Sequence, residues 1–269
     1  MNRLNERLAQ LRQQGRKALV VYIVNGDPAP EVTLETMHAM VAAGADIIEL
    51  GVPFSDPMAE GPVIARGHER ALEHKVSLRA TIEVVRQFRA VDQATPVVLM
   101  GYTNPVERMG YEAFASSASA AGVDGLLTVD LPPEEAGALH SELKKANMEN
   151  IFLLAPTTSQ ARATSIVRLA GGFLYYVSLK GVTGAGHLDI GAVEQKVAQL
   201  RQLTDLPICV GFGIKDAATA KAIARSADGA VVGSVLVDKM GSMQGQGAAQ
   251  IAAAVAELIK PIRQGLDEL

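Results

Sequence analysis

Eight short and nearly uninterrupted apolar runs, with amphipathic helical stretches between them in a chain of 269 residues, predict an α/β protein built as a single (β/α)8 TIM barrel. The runs are ALVVYIV, DIIELGV, PVVLMGY, GLLTVDL, NIFLLAP, FLYYVSL, PICVGFG and GAVVGSV. Strands buried on both faces need continuous hydrophobicity of this kind, whereas half-exposed strands alternate, so the sheet is predicted to be parallel. A doubly wound open sheet is the competing architecture, and eight units weigh against it.

The helices follow from spacing. Leu4, Leu8 and Leu11 recur at helical intervals before the first run, which adds an extra N-terminal helix to the barrel. Leu78, Ile82 and Val85 form a second stripe, Ile190, Val193, Val197 and Leu200 a third, and Ile251, Val255 and Leu258 a fourth. Three segments echo one another: AAGADIIEL, AAGVDGLLTVD and SADGAVVGS each set small residues and an Asp just before an apolar run. Gly44 and Gly122 then read as left-handed residues that end helices. Met37 and Met40 read as core, RGHERALEHK as a solvated helix face, and LPPEEAGALH as a helix start rich in Pro and acids. The segment 241–250, GSMQGQGAAQ, reads as a surface loop before the last helix. No low-complexity linker divides the chain, so residues 1–269 are expected to form one domain.

Composition excludes several classes. At 48% hydrophobic and 20% charged, the chain sustains a large core, and its formal charge of -4 argues against a general nucleic-acid binder. The longest apolar run is too short to span a bilayer and the N-terminus carries no apolar leader, so a soluble cytoplasmic protein is expected. Cys209 lies within a strand-like run and is expected in the core. The five His show no ligand spacing, so no metal is expected.

Barrel enzymes work at the C-terminal ends of their strands. Tyr22, Glu49, Met100, Tyr102, Asp130 and Tyr175 stand at or just beyond such ends. Glu49 is the most informative, because a carboxyl flanked by Ile47, Ile48 and Leu50 would be desolvated and raised toward acid–base service. A structural acid bonded to backbone N–H groups is an equally open reading, and Asp130 either faces the site or shapes its turn. Glycine turns follow the last three runs: GVTGAG (181–186), GFGIKDA (211–217) and GS (233–234). In that order they suggest backbone N–H groups converging on a phosphate, with Ser234 adding a hydroxyl and Asp216 capping a helix. GVTGAG also reads as a lid or as an ordinary connection.

The stretch ELGVPFSDPMAEGPVI resembles the signature of the tryptophan synthase alpha subunit family, as do NGDP (25–28), VLMGYTNPV, GVTGAG, GFGI and GS in the same order. The resemblance implies a retro-aldol cleavage of indole-3-glycerol phosphate to indole and glyceraldehyde 3-phosphate, with no cofactor in this chain. It implies that Glu49 is the acid–base residue and that Glu60 accepts a hydrogen bond from the indole N–H. It further implies that Tyr175 shapes the site, that Tyr22 and Met100 form the indole pocket, that Gly184, Gly213, Gly233 and Ser234 clamp the phosphate, and that Thr183 couples a lid to the site; Tyr102, beyond the third strand end, is expected among the substrate-binding residues. A beta subunit carrying pyridoxal phosphate is the implied partner, in a heterotetramer with two copies of each chain, contacted through Pro53 to Met58.

Three residues depart from familiar members. Glu60 stands where many carry Asp, lengthening the arm by one methylene; Leu179 stands where some carry Arg; and Tyr22 replaces Phe. Two further readings share the motifs. One is a stand-alone lyase that releases free indole, and the other a feebly catalytic subunit that activates its partner.

Overall fold

The structure, a computed structural model, describes residues 2–178, 189–211 and 213–269. Helix α1 (Arg3–Gln13) precedes β1 (Ala18–Val24), and α2 (Pro30–Ala42) leads to β2 (Ile47–Gly51). Two helices, α3 (Pro62–Glu73) and α4 (Leu78–Arg89), separate β2 from β3 (Val97–Gly101). Two more, α5 (Thr103–Met109) and α6 (Tyr111–Ala121), lead to β4 (Gly125–Thr128). Single helices then alternate with strands: α7 (Gly137–Lys145), β5 (Glu149–Leu154), α8 (Gln160–Val167), β6 (Leu174–Val177), α9 (Ile190–Arg201), β7 (Ile208–Gly211), α10 (Ala217–Ala224) and β8 (Gly229–Val232). Helices α11 (Ser234–Ser242) and α12 (Ala248–Asp267) complete the chain. Each strand pairs in parallel with its neighbour in sequence, and β8 returns to β1, so the barrel closes as expected. No described helix is long and apolar enough to cross a membrane.

Side chains alternate across each strand, and the barrel wall sorts them. Val20, Tyr22 and Val24 of β1 join Ile47, Val98 and Cys209 in the cluster that fills the barrel. Leu19, Val21 and Ile23 join Ile48, Leu99 and Val210 in the larger cluster beneath the helices. Helix α1 plugs the N-terminal end, where Leu4, Leu8 and Leu11 pack with Ala18 and Val20. The Asn2 carboxamide accepts from the Asn5 N–H and donates to the Asp124 carbonyl, which caps the plug and ties it to the barrel.

The repeated Asp before β2, β4 and β8 has one structural meaning. Asp46 Oδ2 accepts the Leu19 N–H at 2.8 Å, Asp124 Oδ2 the Val97 N–H at 2.9 Å, and Asp228 Oδ2 the Ile208 N–H at 2.8 Å. Each thereby bonds the backbone of the preceding strand. Each also meets an arginine: Arg263 at 2.8 Å, Arg89 at 2.8 Å and Arg201 at 2.6 Å respectively. The glycines of the echo belong to the same clamp. Gly44 (φ +103°) and Gly122 (φ +89°) end their helices in the left-handed region, and a Cβ on either would come within 2.6 or 2.7 Å of the Arg263 or Arg89 stem.

Three local expectations are refined. RGHERALEHK is solvated on one face only: Arg66, Glu69, Glu73, His74 and Lys75 are exposed, but His68 is buried and Arg70 reaches back to Asp27 through two hydrogen bonds. The loop expected over 241–250 shrinks to 243–247, because α11 and α12 extend into it from both sides. LPPEEAGALH does lead into a helix, with one turn at 133–136 before α7 begins at Gly137.

The clamps differ in burial, and stability should follow. Asp124→Ala strands Arg89, whose side chain is 7% exposed, and is expected to lower the unfolding free energy by about 3–5 kcal/mol. Asp228→Ala frees Arg201, 40% exposed, and is expected to lower it by about 1–2 kcal/mol. Urea titrations at pH 7 would show this order; equal losses would mean that the guanidinium contributes nothing.

Candidate active site

At the C-terminal mouth lies a cavity of about 290 Å³. Of the residues expected there, Tyr22, Glu49, Glu60, Met100, Tyr175, Gly213, Gly233 and Ser234 all line it. Tyr102 does not. Its ring stacks on Phe54 with centroids 4.8 Å apart, and its hydroxyl accepts the Ala59 N–H at 3.1 Å, so it braces the loop that carries Glu60. Asp130 shapes its turn: one oxygen accepts both the N–H and the hydroxyl of Thr103 at the start of α5. Thr183 and Gly184, with Leu179 and Lys180, lie outside the described residues.

Glu49 is placed by register. It pairs with Tyr22 of β1 and Val98 of β3, and like them it points inward. The side chain is fully buried, and neither carboxyl oxygen meets a hydrogen-bond partner among the described residues. The reading of Glu49 as a structural acid bonded to backbone N–H groups therefore fails among the described residues. Burial, reinforced by the nearby Glu60 charge, pushes the Glu49 pKa up to about 8. Burial alone raises Glu60 to about 7. At neutral pH the first holds its proton while the second is poised between its two states.

Two tyrosines reach into the mouth over glycines. A Cβ on Gly51 would fall 2.4 Å from the Tyr22 hydroxyl, and one on Gly211 would fall 2.2 Å from that of Tyr175. Each glycine stands two residues above the register partner of its tyrosine, Glu49 for Tyr22 and Cys209 for Tyr175. Only a residue without a side chain leaves the ring room to lean up the barrel. Desolvation of both phenols, reinforced by the charges of the acid pair, holds their protons on well above the ordinary range.

The rest of the wall divides in two. Ile64, Met100, Val129, Leu153 and Val177 make an apolar side. Gly213 (φ +78°) and Gly233, the N-cap of α11, bring backbone close to the cavity, with Ser234 as the first residue of that helix. The first N–H groups of a helix have no acceptor within it and favour an anion.

His68 was missed by sequence reasoning, which took its segment as a charged surface. A signal was present: Ile64, Gly67, His68 and Ala71 recur at helical spacing, and Gly67, His68 and Ala71 form the buried face of α3.

A desolvated carboxyl able to give and take a proton, an apolar wall and an anion-favouring end define a barrel enzyme of acid–base chemistry. The family model for the tryptophan synthase alpha chain matches residues 8–266. The tryptophan synthase alpha chain of Chromobacterium violaceum is 58% identical over 264 residues, covering 98% of this chain and all of the relative. That of Methylococcus capsulatus is 55% identical over 267 residues, covering 99% and 100%. The crystal structure of the alpha subunit from Legionella pneumophila superposes with a TM-score of 0.91 at 42% identity, with full coverage of both chains. A tryptophan synthase structure from M. tuberculosis in an aminoacrylate-bound form gives 0.87 at 33% identity, covering 99% of this chain. The chain belongs to the tryptophan synthase alpha chain family. It is accordingly a lyase that cleaves indole-3-glycerol phosphate to indole and glyceraldehyde 3-phosphate in tryptophan biosynthesis.

The Glu49 carboxyl should make the protein less stable as pH rises. Its pKa is near 4.5 unfolded and about 8 folded, so between these values the folded state keeps a proton that the unfolded state has lost. Stability therefore falls from pH 5 to pH 8 through this group. Glu49→Gln removes the effect, and its melting temperature should exceed that of the wild type by a margin that grows across this range. A margin constant with pH would refute the burial of an unpaired carboxyl.

Proposed function

We propose that Glu49 performs both proton transfers of the cleavage while Glu60 holds the indole nitrogen. The observation that carries this is the Glu49 carboxyl, buried without a described hydrogen-bond partner on the cavity wall and neutral at pH 7. It starts as the acid. Its proton passes to the indole ring carbon that bears the glycerol chain, leaving positive charge on the ring nitrogen. The resulting Glu49 carboxylate takes the proton of the adjacent side-chain hydroxyl. As the aldehyde forms, the carbon–carbon bond breaks and its electron pair returns to the ring. Glu49 ends as it began, and one proton has moved from hydroxyl to ring carbon.

Glu60, as a carboxylate, accepts from the indole N–H and stabilises the charge developing there. The apolar side of the cavity takes the indole, with Tyr22 and Met100 against it and Tyr175 beside Glu49. The backbone at Gly213, Gly233 and Ser234 takes the phosphate, joined by Gly184 and Thr183 from the segment outside the described residues. The cleavage is driven by two proton transfers and the protonated ring itself receives the electron pair, so the proposal assigns no cofactor or metal to this chain.

The proposal extends to a partner. A beta subunit carrying pyridoxal phosphate would receive the indole, in an assembly with two copies of each chain, and the loop Pro53 to Met58 would meet it. Met58, 85% exposed at the tip of that loop, supports the contact. A cytoplasmic location belongs to the same reading, because a phosphorylated intermediate does not cross membranes unaided.

Indole release from indole-3-glycerol phosphate tests the assignment, measured with and without a pyridoxal-phosphate-loaded beta subunit. A slow reaction accelerated by the partner is expected, and Glu49→Gln should lower it by at least about 10²-fold. Fast release indifferent to the partner would instead mark a stand-alone lyase. The pH profile supplies a second check. Glu60 must be ionised and Glu49 protonated, so kcat/KM should rise through about pH 7 and fall through about pH 8. Glu60→Gln should remove the rising limb; a rising limb that persists in that variant would assign it to another group.

A further inference from the structure

His68 of α3 touches neither acid, yet it joins two parts of the site. Its side chain is buried, with 1% of the residue exposed. Nδ1 lies 3.1 Å from the Phe54 nitrogen and accepts that N–H, while Nε2 lies 3.4 Å from the Tyr22 hydroxyl. Burial pushes the imidazole pKa down to about 4, so the ring is neutral and carries one proton. With Nδ1 already accepting, that proton sits on Nε2. The Tyr22 oxygen is then the acceptor of the pair, and its own proton is free for another partner.

The other end of the contact matters as much. Phe54 opens the loop that carries Glu60, and its ring lies on Tyr102, whose hydroxyl takes the N–H of Ala59 beside Glu60. The loop thus hangs from two hydrogen-bonded points, one on His68 and the other on Tyr102. We propose that His68 is a positioning residue for the cleavage: it tethers the Glu60 loop through Phe54 and turns Tyr22 into a hydrogen-bond donor toward the cavity. The proposal rests on the functional reading above. Tyr22 lines the cavity, and Glu60 and Glu49 are the charges that bear most on its hydroxyl.

Two substitutions separate the two bonds, because amide atoms of Asn and Gln stand as many bonds from Cα as Nδ1 and Nε2 of His do. His68→Asn keeps an acceptor for the Phe54 N–H and loses the donor to Tyr22. His68→Gln keeps the donor and loses the acceptor. Steady-state cleavage of indole-3-glycerol phosphate is measured for both, each with and without Tyr22→Phe, in the presence of the beta subunit, with melting curves as a control of folding. In the wild type, Tyr22→Phe should lower kcat by about three- to tenfold, the scale of one hydrogen bond. His68→Asn should lower kcat by a similar factor, and adding Tyr22→Phe to it should cost no more than about twofold further. In His68→Gln, Tyr22→Phe should still cost its full wild-type factor.

The idea fails if the Asn and Tyr22 losses multiply. It fails equally if both His68 variants change only the melting temperature and leave kcat and KM within twofold of wild type. Should the Asn variant not fold, the Gln pair decides: a Tyr22→Phe effect reduced below twofold there overturns the proposal. Absence of indole from the wild-type protein itself would overturn the functional reading and, with it, the role of His68 in the cleavage, whereas failure of the variant pattern in an active wild type overturns the role of His68 alone.

Discussion

Which side chains reach the mouth of this barrel is settled at its opposite end. A strand slipped by one residue against its neighbour turns every inward side chain outward, so the site depends on register before it depends on chemistry. Asp46 fixes the first pair by taking the Leu19 N–H, and with that bond made Tyr22 stands beside Glu49. Asp124 does the same for β3 and β4, and Asp228 for β7 and β8. Two of these carboxylates also hold the N-terminal plug, Asp46 through Arg7 and Asp124 through Arg3. Charge-assisted bonds to buried carboxylates are stronger than neutral ones, so register and closure share their firmest contacts.

That firmness at the base answers a liability at the top. A Leu or Gln at position 49 would remove the desolvation that a carboxyl suffers there, and the fold would gain stability near and above neutral pH. The proton-donor role proposed for Glu49 would account for an acid kept at this cost. The same logic accounts for Gly51, which packs no side chain of its own but lets the Tyr22 hydroxyl lie where a Cβ would be. Stability is given up at positions where a reacting group or its neighbour needs the space.

Legibility from sequence followed the physics of each feature. The eight strands were readable because parallel strands buried on both faces admit almost no polar residue. Glu49 stood out for the same reason, as a charge set in an apolar run. The Asp echo was visible as a pattern, but its meaning was not, because the N–H it binds is about 20–30 residues away and the arginine as much as 217 residues away. The short helix α5 after β3 was not read, since it has only seven residues and a single fully buried one. His68 was hidden by its neighbours. Arg66, Glu69 and Arg70 made the segment look solvated, although the helical spacing of Gly67, His68 and Ala71 carried the correct face. Tyr102 was placed in the right neighbourhood with the wrong partner, because sequence shows that a side chain is near a strand end and not which way its ring lies.

The two acids are held in different ways, and the difference bears on control. Glu49 sits on a strand fixed by register, so its own position in the barrel wall is set by the fold. Glu60 sits on a loop held through Phe54 and Ala59, with exposed Met58 two residues before it. Its raised pKa comes from burial alone, so any outward displacement of the loop returns it to water and to the ordinary carboxylate range. A contact made at Met58 therefore acts almost directly on the depth at which Glu60 lies. Because Glu49 feels the Glu60 charge, that depth also sets how firmly the first acid keeps its proton. A partner that met the loop, as proposed above, would have a path of two residues to the protonation of the pair, and it would need no movement of the barrel.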